Sequence, residues 1–567
     1  MASLSTRPWV KYYGDVPADV VVPDKTMYEW LAETADRQRG RPAVSFLGMS
    51  LTFDQLLADI ERCAAAFTAL GVGAHDSVMV SLPNIPNVVV VVFALNRIGA
   101  RAVMTHPLSS PDELRHYVHE TGSRWVVGVD MFYDKLASLM GEAGVEKLIV
   151  THIPDYLGTL MRLGFKVTKG RAIKAVPKGT PGVISWSDFM RMGAAPTPYV
   201  RPLEPGDPAA VLFSGGTTSL PKGIELSSRA FNALAAAMIA ITHLEPGNSV
   251  LAIMPAFHGF GLGLCIHTTL VAGAISILVP EVGPKSYIAA LVKQKPSYIA
   301  GVPTLFQALL RMPEFARVDV SQLRGAFSGG DTLLPELKHR FDAALAAQGA
   351  HVELEEGYGL TECVTGCALS PVGFYRTGSV GVPMPGVDMC VVKPGTIDVL
   401  PPDVEGELCV TGETLMNGYV NDPAATAETL RRHDDGQVWL HTGDLGRMDA
   451  DGYIFFMGRI KRIIKVSGVS VYPAQVEQLL ESHPAVRSAC VIGIPDEYQV
   501  SSVKAFIVPE KGAIAGDELA GELKAFCKEH LMKWAVPRRI EFRDQLPMTK
   551  VGKIAYTELE KEETGKC

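Results

Sequence analysis

Between positions 245 and 281 the chain carries no Asp, Glu, Lys or Arg, a run longer than the roughly 20 residues that span a bilayer. Its interruptions, however, divide it. Pro255, His258, His267 and the glycines at 259, 261, 263 and 273 break the apolar positions into short pieces. The pattern predicts a strand over 249–254, a short helix over 262–271 and a second strand over 274–279. Near-continuous apolar strands of this length belong in parallel sheets buried on both faces, so a buried strand-helix-strand unit is expected in place of a membrane span. Similar alternation elsewhere predicts strands over 77–82, 124–129 and 147–151 and a helix over 110–120. The expected fold class is α/β, with a large N-terminal domain of mainly parallel sheets and covering helices. Stretches 406–411 and 437–440, set among turns rich in Gly, Asp and Pro, add a β-rich subdomain. Past about residue 460 the pattern restarts as a helix (473–481), two strands (489–494 and 503–509) and a helix (517–531). This reads as a small α+β C-terminal domain of about a hundred residues, with the boundary placed between 458 and 459.

Composition narrows the field of functions. A chain of 567 residues with 47% apolar and 20% charged positions has the makings of a large folded enzyme and lacks the signature of disorder. A net charge of −8 argues against a global nucleic-acid footprint. Nine cysteines without a CxxC pair or zinc-ligand spacing read as reduced thiols and suggest no metal; Cys363 and Cys367 have the spacing to share a helix face but read first as small buried residues. The N-terminal residues lack the apolar core of a signal peptide, so a cytoplasmic location is expected. Segment 160–178 holds six basic residues (Arg162, Lys166, Lys169, Arg171, Lys174, Lys178), no acidic one, and interleaved apolar positions. It reads either as a solvated insertion or as a surface resting on the anionic inner face of a membrane, each basic side chain then contributing about 1 kcal/mol.

The candidate chemistry begins at 212–224, an apolar strand that runs into Ser214, Gly215, Gly216, Thr217 and Thr218 and on to Lys222. Backbone N–H groups, hydroxyls and one cation in such a loop suit phosphate oxygens. A Walker A loop needs Gly before its Lys and Ser or Thr after it. Here Pro221 precedes Lys222 and Gly223 follows, so that reading fails. In 356–362, Gly357 and Gly359 flank Tyr358, whose ring offers a face to a purine, while Thr361 and Glu362 offer a phosphate donor and an oxygen ligand for Mg²⁺. Farther on, Asp444 can accept two hydrogen bonds from a ribose, with Arg459 fifteen residues beyond.

Together and in this order the motifs resemble the adenylate-forming superfamily of acyl-CoA synthetases, adenylation domains and luciferases. The resemblance runs from about residue 52 to the end and takes in Pro255-Ala-Phe-His258, Ser328-Gly-Gly-Asp331, Gly406-Glu-Leu408, Thr442-Gly-Asp444, Lys465-Val-Ser-Gly468 and the segment 546–554. It implies that Ser214, Gly216, Thr217, Thr218 and Lys222 handle the triphosphate of ATP, and that Gly329, Gly330, Asp331, Gly357, Tyr358 and Gly359 border adenine. Thr361 would touch the α-phosphate, Glu362 would hold Mg²⁺, and Asp444 and Arg459 would bind ribose. Lys553 would bridge the reacting carboxylate and phosphate as the main catalytic residue, alongside Thr218, Glu362 and His258. The C-terminal domain would swing about a hinge at Lys461, presenting Lys465, Ser467 and Gly468 to CoA. Two departures stand in the phosphate loop: Gly215 where many members have Ser, and Ser219 where Gly is common. An acyl pocket of His258, Phe260, Gly261, Gly263, Val364 and Gly366 is small and apolar and favours a hydrocarbon tail. The basic insertion is similar to that of bacterial long-chain fatty acyl-CoA synthetases. No carrier segment follows Cys567, so free CoA is the expected thiol. A medium- or long-chain fatty acid:CoA ligase is the expected function. An aryl or polycyclic (bile-type) acid ligase, an enzyme loading a carrier protein, and an acyl-adenylate-binding sensor are the alternatives. Intact Glu362, Asp444 and Lys553 speak against the sensor.

Overall fold

Local signals place the elements before packing selects among them. Ser110 caps the helix Pro111–Thr121 by accepting the Glu113 N–H at 3.2 Å, while the Glu113 carboxylate accepts the Ser110 N–H at 2.7 Å. Gly122, at φ +64°, ends it in the left-handed region. The helix Pro86–Arg97 is a different case. It contains five consecutive valines, a run that favours strand, yet Pro86 pre-sets its first turn and all twelve residues are buried. Packed against Met27–Arg37 and Phe53–Ala69, it is mostly apolar because no side faces water, and its buried Asn96 and Arg97 are bonded to Ser228 and Glu61.

The computed structural model describes residues 7–141, 144–167, 173, 175–177, 179–193, 195, 198–213, 221–467, 469–496, 500–549 and 553–565. Two large sheets form its frame. In the nine-stranded sheet, Leu354–Tyr358, Gly325–Ser328, Tyr298–Gly301, Ser249–Ala252, Ile275–Leu278 and Pro42–Phe46 run parallel, with short antiparallel strands at each edge. The eight-stranded sheet runs parallel from Pro208–Phe213 to Val183–Ser185 through Arg101–Met104, Ser77–Ser81, Trp125–Val129 and Lys147–Thr151, and closes antiparallel with Gly223–Ser227 and Gly418–Tyr419. A five-stranded antiparallel sheet, built on Gly406–Gly412 and Val438–Met448, is the β-rich region. The smaller C-terminal domain packs the helices Pro473–Glu481 and Asp517–His530 over the sheet of Val486–Asp496, Val500–Pro509 and Arg539–Phe542.

The uncharged stretch folds as a buried strand-helix-strand unit, its two strands paired in parallel from Ser249↔Ile275 to Ala252↔Leu278. Among the described residues no helix is long and apolar enough to cross a membrane. The helix expected at 262–271 is wound differently, as a π-helix over Phe260–Thr268 followed by the short α-helix Thr269–Val271. Its wide turns are supported by side chains, since Thr268 Oγ1 donates to the Gly263 carbonyl five residues back at 2.8 Å. Cys363 and Cys367 are buried, as the preferred reading has it, and share no helix face. Cys363 ends the single turn Thr361–Cys363, Val364 takes a positive φ, and Cys367 precedes the strand Ala368–Leu369. Every described cysteine is a buried free thiol. The strands foreseen at 437–440 and 489–494 are parts of the longer Val438–Met448 and Val486–Asp496.

His267, fully buried among Trp30, Phe93 and Phe231, places Nε2 2.9 Å from Asn232 Oδ1. Burial lowers its pKa to about 3. Above about pH 6.5 the folded and unfolded chains both hold it neutral; below that the unfolded chain takes a proton that the fold refuses, so stability is lost as pH falls. The expected slope from this group is up to about 1.4 kcal/mol per pH unit. His267→Gln, which keeps an amide for Asn232, should flatten the stability difference between pH 7 and pH 5 in urea unfolding.

Candidate active site

The candidate site gathers where parallel strands end at their C-terminal edges, the usual place for ligands in such sheets. Strand Leu354–Tyr358 delivers Tyr358, whose hydroxyl donates to Asp444 Oδ2 at 2.6 Å. Asp444, on Val438–Met448, is directly paired in register with Arg459 on Ile454–Arg459, and Arg459 Nε lies 2.9 Å from Asp444 Oδ1. That oxygen is buried and makes no aligned hydrogen bond, which leaves it capacity for an incoming hydroxyl donor. Burial pushes the Asp444 carboxyl above its usual range, with Arg459 opposing the shift. Arg459 Nη1 also donates to the Thr442 carbonyl at 3.2 Å. Gly329, Gly330 (φ +85°) and Asp331 follow the strand Gly325–Ser328. Gly357 and Gly359 flank Tyr358, and a Cβ on Gly359 would meet the Thr365 carbonyl oxygen at 1.5 Å, so only glycine fits there.

On the phosphate side, Lys222 pairs with Asp422 at 3.0 Å and lies 5.0 Å from the Tyr419 ring centre. Tyr419 in turn donates its hydroxyl to Glu362 Oε1 at 3.0 Å. Ser214, Gly215, Gly216, Thr217, Thr218 and Ser219 lie outside the described residues, as does Gly468. The loop's exit is held by groups the sequence reading passed over: His116 Nε2 donates to the Pro221 carbonyl at 3.1 Å, and Glu120 accepts the Gly223 N–H at 3.1 Å. Tyr419 and Asp422 were passed over too. Their local pattern is an ordinary turn, and only the pairing of Gly418–Tyr419 with Gly223–Ser227 carries them to the loop.

The residues expected to line an acyl pocket meet as a group, and strain organises them. Val364 has φ +65° and ψ −61°, and the Thr365 N–H bonds to the Cys363 carbonyl at 2.8 Å, a γ-turn of the rare positive-φ kind. A β-branched residue reaches this conformation only where surrounding contacts enforce it. The turn aims the Val364 carbonyl at Gly259, where a Cβ would stand 1.6 Å from it, and the Val364 side chain at Gly263. Gly261 abuts the Pro255 carbonyl, Gly366 approaches Met384, and Phe260 reaches Gly329. His258 Nδ1 accepts the Phe260 N–H at 3.1 Å, which assigns the ring proton to Nε2. Burial, with the nearby Lys553 charge adding to it, lowers its pKa to about 4.

Lys553 arrives from the C-terminal domain on a tight turn: its N–H donates to Thr549 Oγ1 at 3.0 Å, and its carbonyl accepts the Thr549 N–H at 2.6 Å. Burial lowers the Lys553 pKa; Asp331 and Asp444 counter that and Arg459 adds to it. The ammonium is therefore within electrostatic reach of both the Asp444–Arg459 pair and His258. Lys461 is exposed in the turn Ile460–Arg462, and Lys465 and Ser467 are exposed on the ribbon of Ile464–Val466 and Val469–Val471, apart from the strands that build this cluster.

Fold and cluster together define a two-domain α/β protein of the adenylate-forming kind. The chain belongs to the AMP-binding enzyme family: the family model for AMP-binding enzymes matches residues 31–420, and that for the AMP-binding enzyme C-terminal domain matches 475–553. It is 33% identical to a long-chain-fatty-acid–CoA ligase of Bacillus subtilis, covering 99% of both chains, and 31% identical to a 4-coumarate–CoA ligase-like protein of Oryza sativa, covering 96% of this chain and 94% of that one. Among solved structures, an anthranilate CoA ligase in complex with anthranoyl-AMP shares the fold with a TM-score of 0.82 at 24% identity, over 97% of this chain and 98% of that one. The amide bond synthetase McbA of Marinactinospora thermotolerans superposes with a TM-score of 0.79 at 26% identity, over 94% and 99%.

Gly259→Ala should lower the unfolding free energy by about 1–3 kcal/mol, because the added methyl must displace backbone at Val364. Gly521→Ala, in the helix Asp517–His530 with nothing within 4 Å, should raise it by up to about 1 kcal/mol. Chemical denaturation of both variants reads the difference.

Proposed function

We propose that this enzyme activates a medium- or long-chain fatty acid with ATP as acyl-AMP and then transfers the acyl group to CoA, releasing pyrophosphate and AMP. The observation that carries the reading is the Tyr358–Asp444–Arg459 cluster, with buried Lys553 near enough for its charge to be felt by Asp444 and by His258. A carboxylate attacking the α-phosphorus between those groups accumulates negative charge on phosphate oxygens, and a partly desolvated ammonium stabilises that state more than the ground state. In this reading Tyr358 and the flanking glycines border adenine, and Asp444 accepts the ribose hydroxyls at its unbonded oxygen. Lys222 and the hydroxyl-rich loop take the phosphates. Thr361 touches the α-phosphate, and the Glu362 carboxylate fits Mg²⁺, a hard cation that keeps several waters and phosphate ligands; when bound it supplies positive charge to those phosphates. Glu362 is oriented for this by the Tyr419 hydroxyl. The neutral His258 faces the acyl side and donates from Nε2 without adding charge to an apolar pocket.

Before a thiol can reach the adenylate, Lys553 must withdraw. We assign residues 459–567 to a mobile domain, with the hinge at exposed Lys461 and CoA entry along Lys465, Ser467 and Gly468. The fatty-acid reading is supported by the long-chain ligases among the relatives and by the small apolar lining. Exposed Met161, Leu163 and Val167 on the helix Thr159–Val167 support peripheral contact of the basic insertion with an anionic inner membrane face, where such substrates partition.

Lys553→Ala should lower acid-dependent ATP–pyrophosphate exchange by at least about a hundredfold while sparing thioester formation from supplied acyl-AMP; equal loss of both half-reactions defeats the two-conformation mechanism. In an exchange panel, saturated acids from C8 to C18 should outperform benzoate and cinnamate. The reverse order replaces the fatty-acid reading by an aryl-acid one.

A further inference from the structure

Outside the candidate active site, the β-rich sheet encloses a cluster the adenylation chemistry does not use. Cys409 on Gly406–Gly412 is paired in register with His441 on Val438–Met448, and His433 lies in the turn after the edge strand Leu430–Arg432. All three are buried, and the Cys409 thiol and one nitrogen of each imidazole lie within 4.8 Å of one another. The two Nε2 atoms are 3.0 Å apart. Behind them Glu407 Oε2 stands 3.0 Å from His441 Nδ1, while its other oxygen accepts the Gly443 N–H at 3.1 Å. The His433 ring is stacked on Trp439 with centroids 5.3 Å apart, and the Trp439 indole N–H donates to Asp435. On the other side of Cys409, its register partner Cys390 places a second thiol beside it.

We infer that Cys409, His433 and His441 supply three ligands of a tetrahedral zinc site whose fourth position is left to water, with Glu407 as the carboxylate that orients His441. Zinc takes thiolate and imidazole donors at about 2.3 and 2.0–2.1 Å, so tetrahedral neighbours stand about 3.3–3.6 Å apart, a spacing this cluster attains by small shifts. A carboxylate holding the far nitrogen of a ligating histidine is the recurrent outer partner of zinc. The two imidazoles share a hydrogen bond beside the thiol, while His433 Nδ1 is buried without a partner, and two imidazoles with a thiol suit a borderline-soft cation. Binding takes Cys409 as thiolate, its proton passing to solvent. The metal would cross-link Gly406–Gly412, Val438–Met448 and the 433–437 turn, and through Glu407 and Gly443 it would stiffen the strand that carries Asp444. This inference stands independently of the proposed substrate.

The test uses the untagged full-length protein, purified reduced and without chelator. Near one equivalent of zinc is expected by elemental analysis. After stripping, Co²⁺ should restore a tetrahedral ligand-field spectrum with a thiolate charge-transfer band. Cys409→Ser should abolish that band, and Glu407→Gln should weaken Zn²⁺ binding about ten- to a hundredfold. If Cys409→Ser does not fold, His433→Gln, in the turn at the sheet edge, replaces it with an expected loss of at least tenfold in affinity. No stoichiometric uptake of either metal by the stripped wild-type protein overturns the inference, and so does uptake that is unchanged in the variants.

Discussion

A single buried carboxylate joins three parts of this molecule. Asp444 receives the Tyr358 hydroxyl from the end of the nine-stranded sheet and faces Arg459 across its own antiparallel sheet. Taking that charge out of water is tolerable only because a cation and a hydroxyl donor are held against it. The same requirement fixes how the parallel sheet and the β-rich sheet sit relative to each other. It also places a negative charge where Lys553, arriving from the C-terminal domain, needs one. The pair is incomplete as a hydrogen-bonded unit, since Asp444 Oδ1 keeps bonding capacity, and the proposed function draws on that residual capacity.

Strain and close approach shape the other half of the site. The γ-turn at Val364 persists because Gly259 and Gly263 give its carbonyl and side chain room, while the π-helix that carries Gly261 and Gly263 widens the path of the backbone past Pro255. Strain of this kind concentrates where geometry must be exact for chemistry, and here it stands between the acyl-side and adenine-side elements.

Much of this was legible in the chain. Apolar strands separated by helical periods announced parallel sheets, Pro and Gly punctuation broke up an uncharged stretch that hydropathy alone reads as a membrane span, and ordered motifs named Tyr358, Glu362, Asp444, Arg459 and Lys553. These are local properties: periodicity, caps, and residue types whose chemistry is needed in a fixed order. Tyr419, His116, Glu120 and the Cys409–His433–His441 cluster were not legible. Each is unremarkable in its own neighbourhood: strand pairing brings Tyr419 and the Cys409–His441 pair into place, and packing of the helix Pro111–Thr121 brings His116 and Glu120 to the loop exit. The valine-rich helix Pro86–Arg97 and the π-helix show the same limit for local structure, because burial on every side and side-chain bonds to carbonyls overrode the propensity of the residues themselves. The sequence by itself determined the fold class, the family and which residue types are candidates for the chemistry. Tertiary structure alone decided which of them share a field, because a charge such as that of Lys553 acts over a few ångströms of space and its partners lie more than ninety positions away along the chain.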